Sequence, residues 1–282
     1  NPTDDQFFEK PPVLKNSALV AFGMTRRGGR STNNDPGFNA IIDAPSDATC
    51  LVGKTWDFHV DKALNISMDE NLKMITESLQ AANAKGREPM FDCEHYFDGF
   101  KANPDFALAC VKAAFHGGAR WIILCDTNGG TLTDEIFDIV SKTKQYIPEA
   151  NIGIHCHNDI GLAVANSLAA IRAGARQIQG TINGLGERCG NADLVTLIPT
   201  LILKLGYKTS IPAEKISKLL SLSRMVDDRL NLVPDPHAPY VGSAAFAHKG
   251  GLHASAAQKD PRTYEHIPPE TVGNERSFVI SD

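Results

Sequence analysis

Several large classes of protein are excluded by what this 282-residue sequence lacks. Its longest basic run is Thr25-Arg26-Arg27, and its formal charge is −5 with a pI near 6.0, so the electrostatic footprint of a nucleic-acid binder is missing. Chemistry on small molecules is the better expectation. No apolar stretch reaches the roughly 18 residues that a helix needs to cross a bilayer, which predicts a soluble protein. The six cysteines (Cys50, Cys93, Cys110, Cys125, Cys156 and Cys189) lie far apart, with no C-x-x-C spacing and no secretory signal. That usage predicts reduced thiols in a cytoplasm. There is no initiator Met, and the opening Asn1-Pro2-Thr3-Asp4-Asp5 runs into Phe7-Phe8 as a polar turn, which reads as a start inside a domain.

What is present is a regular alternation. Hydrophobic residues make up 42% of the chain, enough for one large α/β domain with a modest appendage. Short β-branched or apolar runs at 18–23, 49–54, 89–94, 121–126, 151–155 and 177–182 alternate with longer amphipathic segments, the pattern of βα units on a parallel sheet. Helix starts are marked by the capping box Ser67-Met68-Asp69-Glu70, by Pro104 after Asn103, and by Thr131 or Thr133 ahead of the segment ending at Tyr146. Gly117-Gly118-Ala119-Arg120 and Ala173-Gly174-Ala175-Arg176 repeat a corner in which Gly closes a helix in the left-handed region and a strand follows. After Leu205 the alternation stops. A helix is expected over 211–230, then a Pro-rich turn at 233–240, giving a barrel domain over 1–207 and a helical annex over 208–282. A closed parallel barrel needs eight strands. Six candidates imply either an open doubly wound sheet or a barrel lacking its first two βα units.

The strongest local signal is Gly153-Ile154-His155-Cys156-His157-Asn158-Asp159 at a strand end. Alternate strand residues face the same way, so His155 and His157 can converge on one divalent ion, with Mg, Mn or Zn all compatible. The plainer alternative is two polar residues bonded to backbone. The next strand leads into Gly184-Leu185-Gly186-Glu187-Arg188-Cys189-Gly190-Asn191, where Asn191 either caps a helix or ligates or orients the metal's water. Asp92-Cys93-Glu94-His95 and Cys125-Asp126-Thr127-Asn128-Gly129-Gly130 end two earlier strands. Glu94 can hold substrate or move a proton, Thr127 can donate to a carboxylate, and Asp126 reads as a brace for its turn. Lys54-Thr55-Trp56-Asp57-Phe58-His59 is a further polar cluster, structural or functional. Phe246-Ala247-His248-Lys249-Gly250-Gly251-Leu252-His253 puts two histidines and a lysine on a Gly-hinged segment that either reaches an active site or is a surface turn.

Taken together, these motifs resemble the 2-isopropylmalate, homocitrate and citramalate synthase family of metal-dependent TIM-barrel acyl transferases. The resemblance runs along essentially the whole chain and is nearest to the (R)-citramalate branch. It implies a Claisen-type condensation of acetyl-CoA with a 2-oxo acid, pyruvate first, in isoleucine and leucine biosynthesis. By the same resemblance His155, His157 and Asn191 hold the divalent ion, Thr127 and Glu94 bind substrate, and Glu94, His253 and Tyr264 are the catalytic candidates. The last two would come from the annex of a partner subunit in a homodimer. The family's first strand ends in an Arg-Asp pair that no strand before Ala18 supplies here, which agrees with the absent units and makes an inactive metal-binding fragment an alternative. A 2-isopropylmalate synthase and an acyl-CoA lyase of the same barrel group are the nearer alternatives.

Overall fold

The computed structural model describes residues 2–279, in two compact units that divide between Gln179 and Gly180. The first unit is built on six parallel strands: β1 (Val20–Met24), β2 (Ala48–Lys54), β3 (Glu88–Glu94), β4 (Trp121–Asp126), β5 (Ile152–Cys156) and β6 (Gln177–Gln179). They pair strictly in chain order. A doubly wound sheet reverses its strand order at a switch point, so this single direction of winding excludes that alternative and leaves a barrel wall.

The wall is curled. Gln179 Nε2 on β6 donates to Asp92 Oδ1 on β3 at 2.9 Å, and Gln177 Nε2 donates to Met90 Sδ at 3.6 Å. These side chains span the concave face past the two intervening strands, which a flat sheet would hold too far apart. Beside them Ala48, Cys50, Met90, Ile123 and Cys125 pack as an inner cluster. The opposite residues of the pleat, Leu51, Phe91, Ile122, Leu124 and Ile154, are fully buried on the helix side. Each such side chain contributes about 1.5–3 kcal/mol by leaving water. Among the described residues no further strand joins the outer edge of β1 or β6, so the wall has the six strands expected rather than eight.

Local chemistry explains most of the element boundaries. Ser67 accepts the Glu70 N–H at the head of helix Met68–Ala84, and Asn103 accepts the Phe106 N–H at the head of helix Pro104–His116. The two repeated corners superpose bond for bond. Gly118 (φ 88°) and Gly174 (φ 116°) are left-handed, Ala119 donates to Ala114 O and Ala175 to Ala170 O, and Arg120 and Arg176 then enter the sheet. Three expectations need correcting. Neither Thr131 nor Thr133 caps helix Thr133–Tyr146; its N-cap is Leu132, whose N–H is taken by Glu135, because Thr131 is committed to Asp126. β6 stops at Gln179 rather than residue 182, since Gly180 packs against the Ala192 carbonyl and Thr181 bonds there. The expected helix over 211–230 is a 3₁₀ turn, Ala213–Lys218, running into an α-helix, Leu219–Leu230, because Pro212 starts it from an extended conformation.

Asp35 gives a pH-dependent stability. It is 1% exposed and accepts N–H groups from Arg27, Gly37 and Phe38 at the head of helix Pro36–Asp43. Burial pushes its carboxyl up, but the backbone donors of Arg27 and Phe38 outweigh it and hold the group below the ordinary carboxylate range. A depressed folded-state pKa stabilises above the unfolded value of about 3.9 and is lost as pH falls through the folded value. Asp35→Asn should therefore lower the urea midpoint at pH 7, and the difference should begin to close as pH falls below about 4 and be gone only below the folded-state value.

The second unit holds helix Leu194–Pro199, the Ala213–Leu230 segment, helix Gly251–Lys259 and a two-residue parallel ribbon of Ala247–His248 with Ser277–Phe278. Its core gathers Val195, Ile216, Leu219, Tyr240, Phe246 and Val272. No helix among the described residues is long and apolar enough to cross a membrane.

Candidate active site

In the first unit the chemistry collects where β2 to β5 end. The pleat turns Lys54, Glu94 and His155 to the concave face, and Lys54 and Glu94 are register partners on neighbouring strands. Lys54 Nζ sits 2.6 Å from Glu94 Oε2, with side chains 14% and 24% exposed. The Thr127 hydroxyl accepts the His95 N–H at 2.8 Å, pinning the β3 and β4 loops together. The rings of His155 and His157 lie 5.0 Å apart, and the His157 N–H donates to Asp126 O. Asp126 itself faces away and braces its turn by accepting from the Thr131 hydroxyl and N–H. Glu94, Thr127, His155 and His157 thus all stand at one rim, the face on which barrels of this kind carry chemistry.

Trp56 stacks on His59 beside Lys54, and the His95 ring lies tilted against His59 with centroids 4.1 Å apart. Burial first, then His95 and Lys54, lower the His59 pKa, so its ring is neutral at physiological pH. The loop bearing Lys54 and Trp56 is held by Asn71, which donates to Lys54 O at 2.9 Å, and by the bare backbone of Gly99. A Cβ on Gly99 would stand 2.3 Å from Thr55 O and 2.9 Å from Trp56 Cα. Backbone cannot swing aside as a side chain can. Gly99→Ala should cost about 1–3 kcal/mol in chemical denaturation, and Gly130→Ala, which meets nothing within 4 Å and lies outside the left-handed region, should lack that cost.

The second unit places the remaining sequence candidates. Asn191 is not a helix cap, a role taken by Asp193 for helix Leu194–Pro199; its Nδ2 donates to Leu185 O at 3.0 Å and so folds the glycine loop over 184–191. The rings of His253 and Tyr264 pack 4.3 Å apart. His248 is turned elsewhere, against Glu265, which also pairs with Arg276.

The donor set fits part of a divalent site. His155 Nδ1 lies 2.7 Å from Gln179 Oε1. No group of three or more His, Cys, Asp and Glu able to hold an ion occurs among the described residues. Sequence reasoning missed Lys54 as the partner of Glu94, and Gln179 and Asp92 behind His155. Their common signal is an inward-facing polar residue in a strand, visible once the pleat phase is known.

A curled parallel wall with a paired carboxylate and two histidines at its carboxyl end is the architecture of a (β/α)-barrel enzyme. The chain belongs to the HMGL-like family, whose model matches residues 31–226, and residues 240–282 match the homocitrate synthase post-HMGL domain-like model. An (R)-citramalate synthase of Aquifex aeolicus is 50% identical over 100% of this chain and 54% of its own length. A 2-isopropylmalate synthase of Sulfurisphaera tokodaii is 37% identical over 89% of this chain and 64% of its own. The chain spans about half the length of the curated relative it matches at 50% identity. Among solved structures, hydroxymethylglutaryl-CoA lyase from Pseudomonas aeruginosa shares the fold, with a TM-score of 0.64 at 16% identity, covering 90% of this chain and 79% of that one.

Proposed function

We propose that the chain carries barrel-wall and annex elements of an (R)-citramalate synthase, which condenses acetyl-CoA with pyruvate and hydrolyses the thioester to citramalate and CoA. One observation supports this most: Glu94, Thr127, His155 and His157 stand together at a single rim, in a chain 50% identical along its whole length to an enzyme of that name. On this reading His155 and His157, with Asn191, hold a divalent ion. That ion, when bound, supplies a Lewis acid for the 2-oxo group of the substrate. Thr127 binds the carboxylate of the oxo acid. Glu94, aimed by Lys54, orients the acetyl group or moves its proton, while His253 and Tyr264 serve the methyl deprotonation or the hydrolytic water from a second copy of the chain. The methyl C–H gives its proton to the base, the new C–C bond forms at C2 of pyruvate, the alkoxide is protonated, and water cleaves the C–S bond to release CoA as thiol.

The test is thiol release from acetyl-CoA with pyruvate, 2-oxoisovalerate or 2-oxoglutarate in parallel, with Mg²⁺ or Mn²⁺ and with chelator. The chain and a version extended to the length of its relatives would be assayed together. Release with pyruvate that chelator abolishes supports the reading. Preference for 2-oxoisovalerate would instead make it a 2-isopropylmalate synthase, and no release with any oxo acid from the extended version would refute a synthase.

A further inference from the structure

Behind His155, on the concave face, lies a chain of polar side chains that the proposed reaction does not use. Cys50 on β2, Asp92 on β3 and Gln179 on β6 come together within the wall although they are far apart in sequence. The Cys50 thiol donates to Asp92 Oδ1 at 3.1 Å, and Gln179 Nε2 donates to the same oxygen at 2.9 Å. Gln179 Oε1 then accepts from His155 Nδ1 at 2.7 Å. Asp92 is 5% exposed and Cys50 3%. Such a group beside Ala48, Met90 and Ile123 is costly unless it is hydrogen-bonded, and Asp92 Oδ1 and both ends of the Gln179 amide are.

The directions of these bonds are not free. The Cys50 thiol donates to Asp92 Oδ1, so that oxygen is an acceptor independently of how the Gln179 amide is turned. Burial keeps the Cys50 thiol protonated and therefore a donor. An acceptor at Oδ1 requires the amide nitrogen of Gln179 to face it, which leaves the amide oxygen facing the imidazole. An amide oxygen can only accept, so the imidazole must present Nδ1–H. We propose that Asp92 and Gln179 are positioning residues that fix the tautomer and orientation of His155, so that Nε2 is the nitrogen offered at the rim. This rests on the reading of His155 and His157 as ligands of a divalent ion. The proton position itself follows from the side chains and holds with or without an ion. An outer partner of this kind typically sets 10- to 100-fold of metal affinity.

The deciding readout is the tautomer, measured in the metal-free chain by long-range ¹H–¹⁵N correlation of ¹⁵N-histidine protein, with His155→Gln assigning the resonance. The expected result is a single Nδ1–H form in wild type. Gln179→Leu should give the Nε2–H form or a mixture, and Asp92→Asn, of the same shape, should give a mixture because its amide can present either atom to Gln179. Gln177→Leu, on the same strand and face but outside the chain of bonds, should leave His155 unchanged. Mn²⁺ titration followed by the electron paramagnetic resonance of free ion should show 10- to 100-fold weaker binding for Gln179→Leu and none of that loss for Gln177→Leu. An Nε2–H form in wild type, or an unchanged Nδ1–H form in both Gln179→Leu and Asp92→Asn, overturns the proposal. If wild type shows Nδ1–H and the variants shift as stated but no Mn²⁺ binds, the ligand reading fails while the positioning stands.

Discussion

His157→Ala is expected to remove divalent-ion binding beyond the 10- to 100-fold that an outer partner costs, and with it any metal-dependent thiol release. His155 is the penultimate residue of β5 on the concave face, His157 follows two residues on, and their rings lie 5.0 Å apart, a separation that lets two nitrogens approach one ion at roughly 2.0–2.2 Å each. One imidazole alone is a weak ligand. The residue between them is the control: Cys156 is fully buried on the helix side, and burial pushes its thiol up, so it is neither aimed at the rim nor a ready thiolate. Cys156→Ser should bind Mn²⁺ as wild type does. Circular dichroism before titration separates lost ligation from lost fold. Wild-type Mn²⁺ affinity in both His157→Ala and His155→Ala would sink the metal reading.

The strand assignments were legible because each run is short, β-branched or apolar and fenced by Gly, Pro or Asn, and because the polar residues cluster at the strand ends. The Gly-Ala-Arg corners were legible because a left-handed helix end followed by a strand has few sequence solutions. What stayed hidden is competition between partners. Thr131 is as good a cap as any threonine, yet Asp126, five residues earlier, claims its hydroxyl at 2.8 Å. Gly180 and Thr181 look like strand, yet the Thr181 N–H goes to Ala192 O in the loop before helix Leu194–Pro199, against which Gly180 also packs. The site was half legible for the same reason. His155 and His157 declare themselves by a spacing of two, whereas Lys54 and Glu94 are 40 residues apart and meet through strand register, which periodicity does not specify. Gln179 meets Asp92 only because the wall curls.

The Lys54–Glu94 pair should behave as one unit. At 2.6 Å and with side chains 14% and 24% exposed, it lies between the surface pairs worth about 0–1 kcal/mol and buried ones, whose disruption costs about 3–5 kcal/mol. Exposure on the Glu94 side lets water recover part of the loss. A coupling of about 1–2 kcal/mol in a double-mutant cycle of Lys54→Met, Glu94→Gln and the double variant, read from urea unfolding, is expected. The catalytic cycle should be more strongly non-additive. If Lys54 acts by aiming Glu94, Glu94→Gln and Lys54→Met each lower kcat, and the double variant is no slower than Glu94→Gln. Lys54→Arg, which keeps the charge but replaces a compact ammonium by a planar fork, should recover only part of the rate. Additive losses in kcat would mean that Lys54 meets the substrate on its own account. A Lys54→Met variant with raised KM and unchanged kcat would likewise make it a binding group for the substrate rather than a support for Glu94.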